Sequence, residues 1–142
     1  MKDITFYFVP EVATDYLTGE KVEVLRPKIP IRFLTKNRKV MNPLDCLFDT
    51  GADRILLPGV WGEALGLNVK KGKEGKTAGI DNVPIATYTH KITFFVGSYK
   101  ITTEADFAYE NTIPLLGRFG FMDKFEKIEF NENKRYVKLF YS

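Results

Sequence analysis

Leu44-Asp45-Cys46-Leu47-Phe48-Asp49-Thr50-Gly51-Ala52-Asp53-Arg54-Ile55-Leu56-Leu57-Pro58 is the stretch on which the reading of this chain turns. It begins as an apolar strand in which Cys46 alternates with Leu44 and Phe48, and its polarity changes abruptly at Asp49. Two acids, a threonine and a glycine directly after a core strand are costly to place unless their polar groups are hydrogen-bonded. Gly51 lets the chain turn tightly and lets backbone N–H groups approach a neighbouring carboxylate. Taken alone, Asp49-Thr50-Gly51 describes an ordinary turn equally well.

Outward from that stretch, β patterning dominates. Aromatic residues sit in short runs beside Val, Ile and Thr, the composition of strands. The pattern predicts strands over Ile4–Val9, Lys21–Leu25, Ile29–Thr35, Leu44–Phe48, Ala86–Val96, Lys100–Phe107, Lys127–Phe130 and Arg135–Tyr141. Asp15 to Gly19, Gly97-Ser98 and Asn131 to Lys134 read as turns between them. Helical spacing is confined to Pro58–Gly66, where Trp61 and Leu65 lie four apart, and to Gly117–Phe125. Lys70 to Lys76 reads as an exposed, mobile connection, and Lys36, Arg38 and Lys39 as a hairpin tip.

A second segment downstream completes a pattern. Ile113-Pro114-Leu115-Leu116-Gly117-Arg118, followed by a short helical stretch and a terminal strand, stands in order after Asp49-Thr50-Gly51-Ala52-Asp53. Together they resemble the two signature segments of retroviral-type (retropepsin-like) aspartic proteases, over roughly Ile29 to Phe130. The resemblance implies an all-β fold, a retropepsin-like acid protease barrel with one short C-terminal helix and a flap hairpin. It implies a single domain over residues 1–142, with 1–28 as an N-terminal extension or extra hairpin and 29–142 as the protease-like core. By the same resemblance Asp49 is the catalytic aspartate. Thr50, Gly51, Ala52 and Asp53 support the active-site loop, and Arg118 matches a buried arginine that ties the loop to the helix. Lys76 to Tyr88 matches the flap, with Gly79 and Ile80 near its tip. Ile80, Val83, Leu56 and Leu57 are then candidates for the apolar wall of the substrate cleft.

The implied chemistry requires two carboxyl groups: one takes a proton from water while the other polarises the scissile carbonyl. Like charges a few ångströms apart resist double ionisation, which is general behaviour of such dyads. This chain has one Asp-Thr-Gly; Asp45, Asp81, Asp106 and Asp123 are not followed by Thr/Ser-Gly. The resemblance therefore implies a homodimer in which Asp49 of two copies meet on a two-fold axis. The terminal stretch Lys138 to Tyr141 is the expected apolar strand to finish that interface. The substrate is then an extended polypeptide, and no metal or organic cofactor is required. Ala52 cannot donate a hydroxyl to the dyad, so the optimum is expected from mildly acidic pH toward neutral, and a profile peaking below about pH 3.5 would count against it. The rival reading is a non-catalytic dimeric module on the same fold, for peptide binding or assembly.

Composition excludes other classes. At 142 residues the chain is about one domain long, enough for a core without staples. One Cys and one His supply neither an internal disulfide nor a four-ligand zinc site. Cys46 reads as a buried small hydrophobe and His90 as a structural or surface residue. Gly75-Lys76-Thr77 lacks the upstream glycine of a phosphate-binding loop. A net charge of +3 is too small to indicate nucleic acid, and no apolar run approaches a membrane span. The expected location is the cytoplasm, with neither nucleic acid nor membrane as partner.

Overall fold

The computed structural model describes residues 1–79, 82–110 and 113–142. In chain order the first strands are β1 (Lys2–Tyr7), β2 (Val9–Thr14), β3 (Lys21–Arg26), β4 (Lys28–Phe33), β5 (Leu44–Phe48) and β6 (Leu56–Pro58). The helix α1 (Gly59–Ala64) follows, then β7 (Lys73–Ala78), β8 (Pro84–Val96), β9 (Tyr99–Ala108), β10 (Leu115–Leu116), β11 (Lys127–Asn131) and β12 (Tyr136–Tyr141).

Period-two burial builds the barrel. Ile29, Ile31 and Phe33 of β4 point into the core, as do Cys46 and Phe48 of β5, and the two strands pair with Ile29 opposite Cys46. β8 and β9 form a long hairpin closed at Gly97-Ser98, and β8 returns to β4 through Phe33 opposite Phe94. The short strands close the ring. β10 lies parallel to β5 and antiparallel to β6, while β6 runs parallel to β9. The circuit β4-β5-β10-β6-β9-β8 is thus a closed barrel, the all-β architecture expected from the sequence. Phe94 and Phe121 stack inside it at 6.1 Å between ring centres. Each large side chain buried this fully contributes about 1.5–3 kcal/mol.

A second sheet, β1-β12-β11, joins the two ends of the chain from Lys2 opposite Tyr141 to Tyr7 opposite Tyr136. Val137, Leu139 and Tyr141 face the core from β12, which is hydrogen-bonded along both edges. This corrects the expectation for Lys138 to Tyr141. A strand already paired on both sides has no free edge with which to add a partner's strand.

Two further segments differ from expectation. Lys70 to Lys76 is not a loose connection: Val69–Lys71 is a 3-10 turn, and Lys73 onward is β7, paired from Lys73↔Thr89 to Ala78↔Pro84. The segment has no apolar alternation because it is an edge strand whose hydrogen bonds come from β8, and lysines on an edge discourage unwanted pairing. After Arg118 the helical stretch shrinks to one 3-10 turn, Met122–Lys124. Gly120 takes a φ of 92°, which a continuous right-handed helix over Gly117–Phe125 does not allow.

β2 and β3 form a sheet of their own, paired from Val9↔Arg26 to Thr14↔Lys21. Its turn is closed where Gly19 N–H donates to the Asp15 carbonyl at 2.7 Å. Its root is held where Phe48 N–H donates to the Pro27 carbonyl at 2.8 Å, and where Glu11 pairs with Arg26 and Lys28. Among the described residues no helix is long and apolar enough to cross a membrane.

Candidate active site

Strand β5 ends at Phe48, and Asp49 is the first residue beyond its ladder. The Asp49 N–H donates to the Leu116 carbonyl at 3.1 Å, which fastens the loop to β10 as it leaves the barrel. The Gly51 N–H then donates to Asp49 Oδ1 at 2.8 Å, and the Ala52 N–H to the Asp49 carbonyl at 3.2 Å. A carboxylate accepting a backbone N–H is held in orientation without being neutralised. Asp49 is half-buried, whereas Thr50 and Gly51 are exposed at the crest of the loop.

The second segment lies directly against the first. Arg118 N–H donates to the Ala52 carbonyl at 3.0 Å and Phe119 N–H to the Asp53 carbonyl at 2.8 Å, clamping the descending arm of the loop. Gly117 immediately precedes these clamps. A Cβ there would lie 2.4 Å from the Arg54 carbonyl oxygen and 2.7 Å from that of Ala52. The glycine is required by backbone touching backbone, not by turn geometry.

Arg118 itself differs from expectation. Its side chain is exposed, and it serves the loop through its main chain. The arginine drawn into an ion-pair network is Arg54. Its Nε donates to Asp106 Oδ2 at 2.7 Å and its Nη2 to Asp106 Oδ1 at 3.1 Å, with Glu104 3.5 Å away. Its guanidinium carbon also lies 4.9 Å from the centre of the Phe119 ring. The hydrogen bond to Asp106 holds the guanidinium pKa above its ordinary value. Asp106 is 8% exposed and takes a third hydrogen bond from Thr89 Oγ1 at 2.7 Å. Arg118 follows the point where the chain turns outward, whereas Arg54 faces β9, where a buried carboxylate needs a cation.

A cleft of about 440 Å³ opens over Asp49, lined also by Gly51, Ala52, Asp53, Arg54, Leu56, Asp106 and Leu115. Its opposite wall is Lys76, Thr77 and Ala78 of β7, so the β7–β8 hairpin faces the Asp49 loop across the opening. Of the expected apolar wall, Leu56 lines the cleft. Leu57 does not: alternation along β6 turns it into the core, where it is fully buried beside Phe33, Trp61 and Leu65. Gly79 and Val83 lie at the hairpin end, joined by Gly79 N–H donating to the Val83 carbonyl at 2.8 Å, and do not line the cleft. Ile80 lies outside the described residues.

Cys46 is fully buried, and burial pushes its thiol pKa well up. The His90 ring contributes Nε2 to a 2.8 Å hydrogen bond with the Val69 carbonyl and packs edge-on to Phe107. Among the described residues no cluster of His, Cys, Asp and Glu could hold a metal ion.

At the level of sequence the chain matches no family model and no curated protein. At the level of structure it is similar to a retropepsin-like aspartic protease from Rickettsia conorii, with a TM-score of 0.65 at 17% identity, over 98% of this chain and 99% of that one. It is also similar to the EIAV protease complexed with the inhibitor HBY-793, with a TM-score of 0.47 at 25% identity, over 75% and 88% of the two chains. A circuit of β4, β5, β10, β6, β9 and β8 that matches the Rickettsia protein from end to end gives this chain the fold of the retropepsin-like aspartic proteases.

Proposed function

We propose that the protein is an aspartic endopeptidase whose water is activated by Asp49 of two copies of the chain. The observation that carries this is Asp49 itself: a carboxylate oriented by the Gly51 N–H, half-buried at the end of β5, in a cleft open to a peptide. In the dyad one carboxylate accepts a proton from water as oxygen attacks the carbonyl carbon. The other, protonated, donates to the carbonyl oxygen; as the C–N bond breaks, the proton taken from water passes to the departing amine nitrogen and a hydroxyl of the tetrahedral intermediate returns one proton to the dyad. Thr50, exposed on the single chain, reaches the partner's loop, and Gly51 supplies N–H groups beside the carboxylates. Asp53 holds substrate backbone. An extended polypeptide lies between Leu56 and the β7–β8 hairpin, whose tip, with Gly79, Ile80 and Val83, acts as the flap. Residues 1–142 make one domain with 29–142 as its protease core, and of residues 1–28 the strand β1 joins that core through β12 while β2 and β3 form the extra hairpin. The nucleophile is water, so no cofactor enters.

Ala52 offers the dyad no hydroxyl, and the activity optimum is expected from mildly acidic pH toward neutral. The test is cleavage of an unfolded protein across about pH 3.5 to 7.5, with and without a statine-type transition-state mimic, beside Asp49→Asn. Cutting by the parent that disappears with the mimic and in Asp49→Asn supports the reading. Cutting that persists in Asp49→Asn refutes the mechanism. A stable dimer that cuts nothing under any condition favours the non-catalytic peptide-binding module.

A further inference from the structure

The β2–β3 hairpin has no role in the site described above, and it carries several exposed apolar side chains. A two-stranded hairpin alone is marginal in water. This one nevertheless presents Tyr16 at 91% and Leu17 at 80% exposure on its turn, with Val12, Val22 and Leu25 also exposed along its strands. Apolar side chains gathered on one projecting element mark a contact surface more than a solvent-facing one.

Its placement says what the contact is with. β3 is separated from β4 by Pro27 alone, and β4 runs antiparallel to β5 with Lys28 opposite Leu47. Followed backward from Lys28, the chain therefore passes the end of β5, where Phe48 bonds Pro27 and Asp49 begins. The hairpin root is thus at the loop that must face a second copy if Asp49 works as half of a dyad.

Beside that root is a groove of about 390 Å³ lined by the apolar Leu47, Ile113 and Pro114 and by the charged Glu11, Arg26, Lys28 and Asp45. The hairpin's own tip does not reach it. From Glu11 to Tyr16 is five residues of strand and turn, about 17 Å. Leu47, two residues from Asp49, lies about 7 Å from it, so a two-fold axis at Asp49 puts the groove and its copy on the order of 15 Å apart. The tip of one chain and the groove of the other are at matching separations.

We propose that the β2–β3 hairpin is an arm exchanged between two copies of this chain, with Tyr16 and Leu17 of each seated against Leu47, Ile113 and Pro114 of the other. The inference rests on the dimeric reading above and specifies its interface. An isologous arrangement makes two such contacts, one on each side of the axis.

The test uses the full chain in two variants, Tyr16→Ser with Leu17→Ser on the arm, and Ile113→Glu on the groove. Both change exposed positions, and circular dichroism checks that each remains folded. Sedimentation velocity should show self-association weakened at least about tenfold in each. An equimolar mixture should associate more tightly than either variant alone, because the heterodimer regains one intact arm-in-groove contact. Arm variants that dimerise as tightly as the parent, or a mixture no tighter than its components, overturn the arm while leaving the dyad reading in place. Weakened variants of a parent that dimerises but cleaves nothing support the arm and refute the peptidase. A parent that stays monomeric at high concentration overturns both.

Discussion

Replacing Arg54 by methionine should destabilise the protein more than its surface position suggests, and adding Asp106→Leu should restore part of the loss. Arg54 gives Asp106 two charge-assisted hydrogen bonds, at 2.7 and 3.1 Å. Such bonds contribute about 1.5–3 kcal/mol each when shielded from water. The Arg54 side chain is 39% exposed, so solvent screens its half of the pair and the sum must be discounted. Asp106 is buried, however, and without Arg54 its carboxylate keeps, among the described residues, the Thr89 hydroxyl. We expect a cost of about 2–3 kcal/mol, between a surface pair and a fully buried one. At roughly 3 °C per kcal/mol for a chain of this size, Tm falls by about 6–9 °C. In the Arg54→Met/Asp106→Leu form the stranded charge is gone, and apolar replacement of a whole pair is often close to neutral. That form should melt above Arg54→Met. Thermal and urea unfolding of the parent and the two variants measure this. An Arg54→Met protein within about 2 °C of the parent, or a double variant less stable than the single one, refutes the reasoning.

Gly117→Ala should cost about 3 kcal/mol or more, since its methyl has only the backbone of Ala52 and Arg54 to displace. Hydrogen exchange should show the loss first at the amides of Gly51 to Ile55, and a parent-like Tm would contradict the close approach. Tyr109 donates to Glu63 at 2.6 Å, and that hydrogen bond pushes the phenol pKa up to about 12. A pKa raised in the folded state means stabilisation that is complete below the ordinary value near 10 and lost as pH rises from there to about 12. Tyr136 is raised in the same direction by its hydrogen bond to Glu129, so ultraviolet titration should find a late-ionising fraction that shrinks but does not vanish in Glu63→Gln, and an unchanged titration in that variant would remove the cause.

The strands legible in the sequence were those that carry their own pattern. β4, β5, β8 and β9 alternate apolar and polar residues along most of their length, and their faces follow from that alone. β7 and β10 carry no such signal: one is charged and glycine-containing, the other two residues long, and both exist because neighbouring strands supply their hydrogen bonds. The centrality of β12 was hidden for the same reason, since apolar alternation reports a buried face and says nothing about edges.

At the site, the abrupt change of polarity at Asp49 located the loop. Which of two arginines would be drawn inward was not legible from the motif, because Arg54 and Arg118 both flank it. The clue lay elsewhere, in Asp106 set between Ala105 and Phe107 of a core strand. A carboxylate in that setting demands a cation, and Arg54 is the one the barrel brings to it. Leu56 and Leu57 could be told apart only once the direction of β6 was known.

The pairing of Lys2 with Tyr141 also orders events during synthesis. β1 is made well over a hundred residues before β12, the strand it pairs with among the described residues, so it waits while the chain between them is added. At about 5–20 residues per second that interval is on the order of ten seconds. Until then Ile4 and Phe6 have no sheet to join, and the barrel must hold together without the β1-β12-β11 layer. Chaperone demand in the cell should therefore track the lateness of β12, and a circular permutant that makes β1 and β12 neighbours in sequence should fold faster with the same final structure.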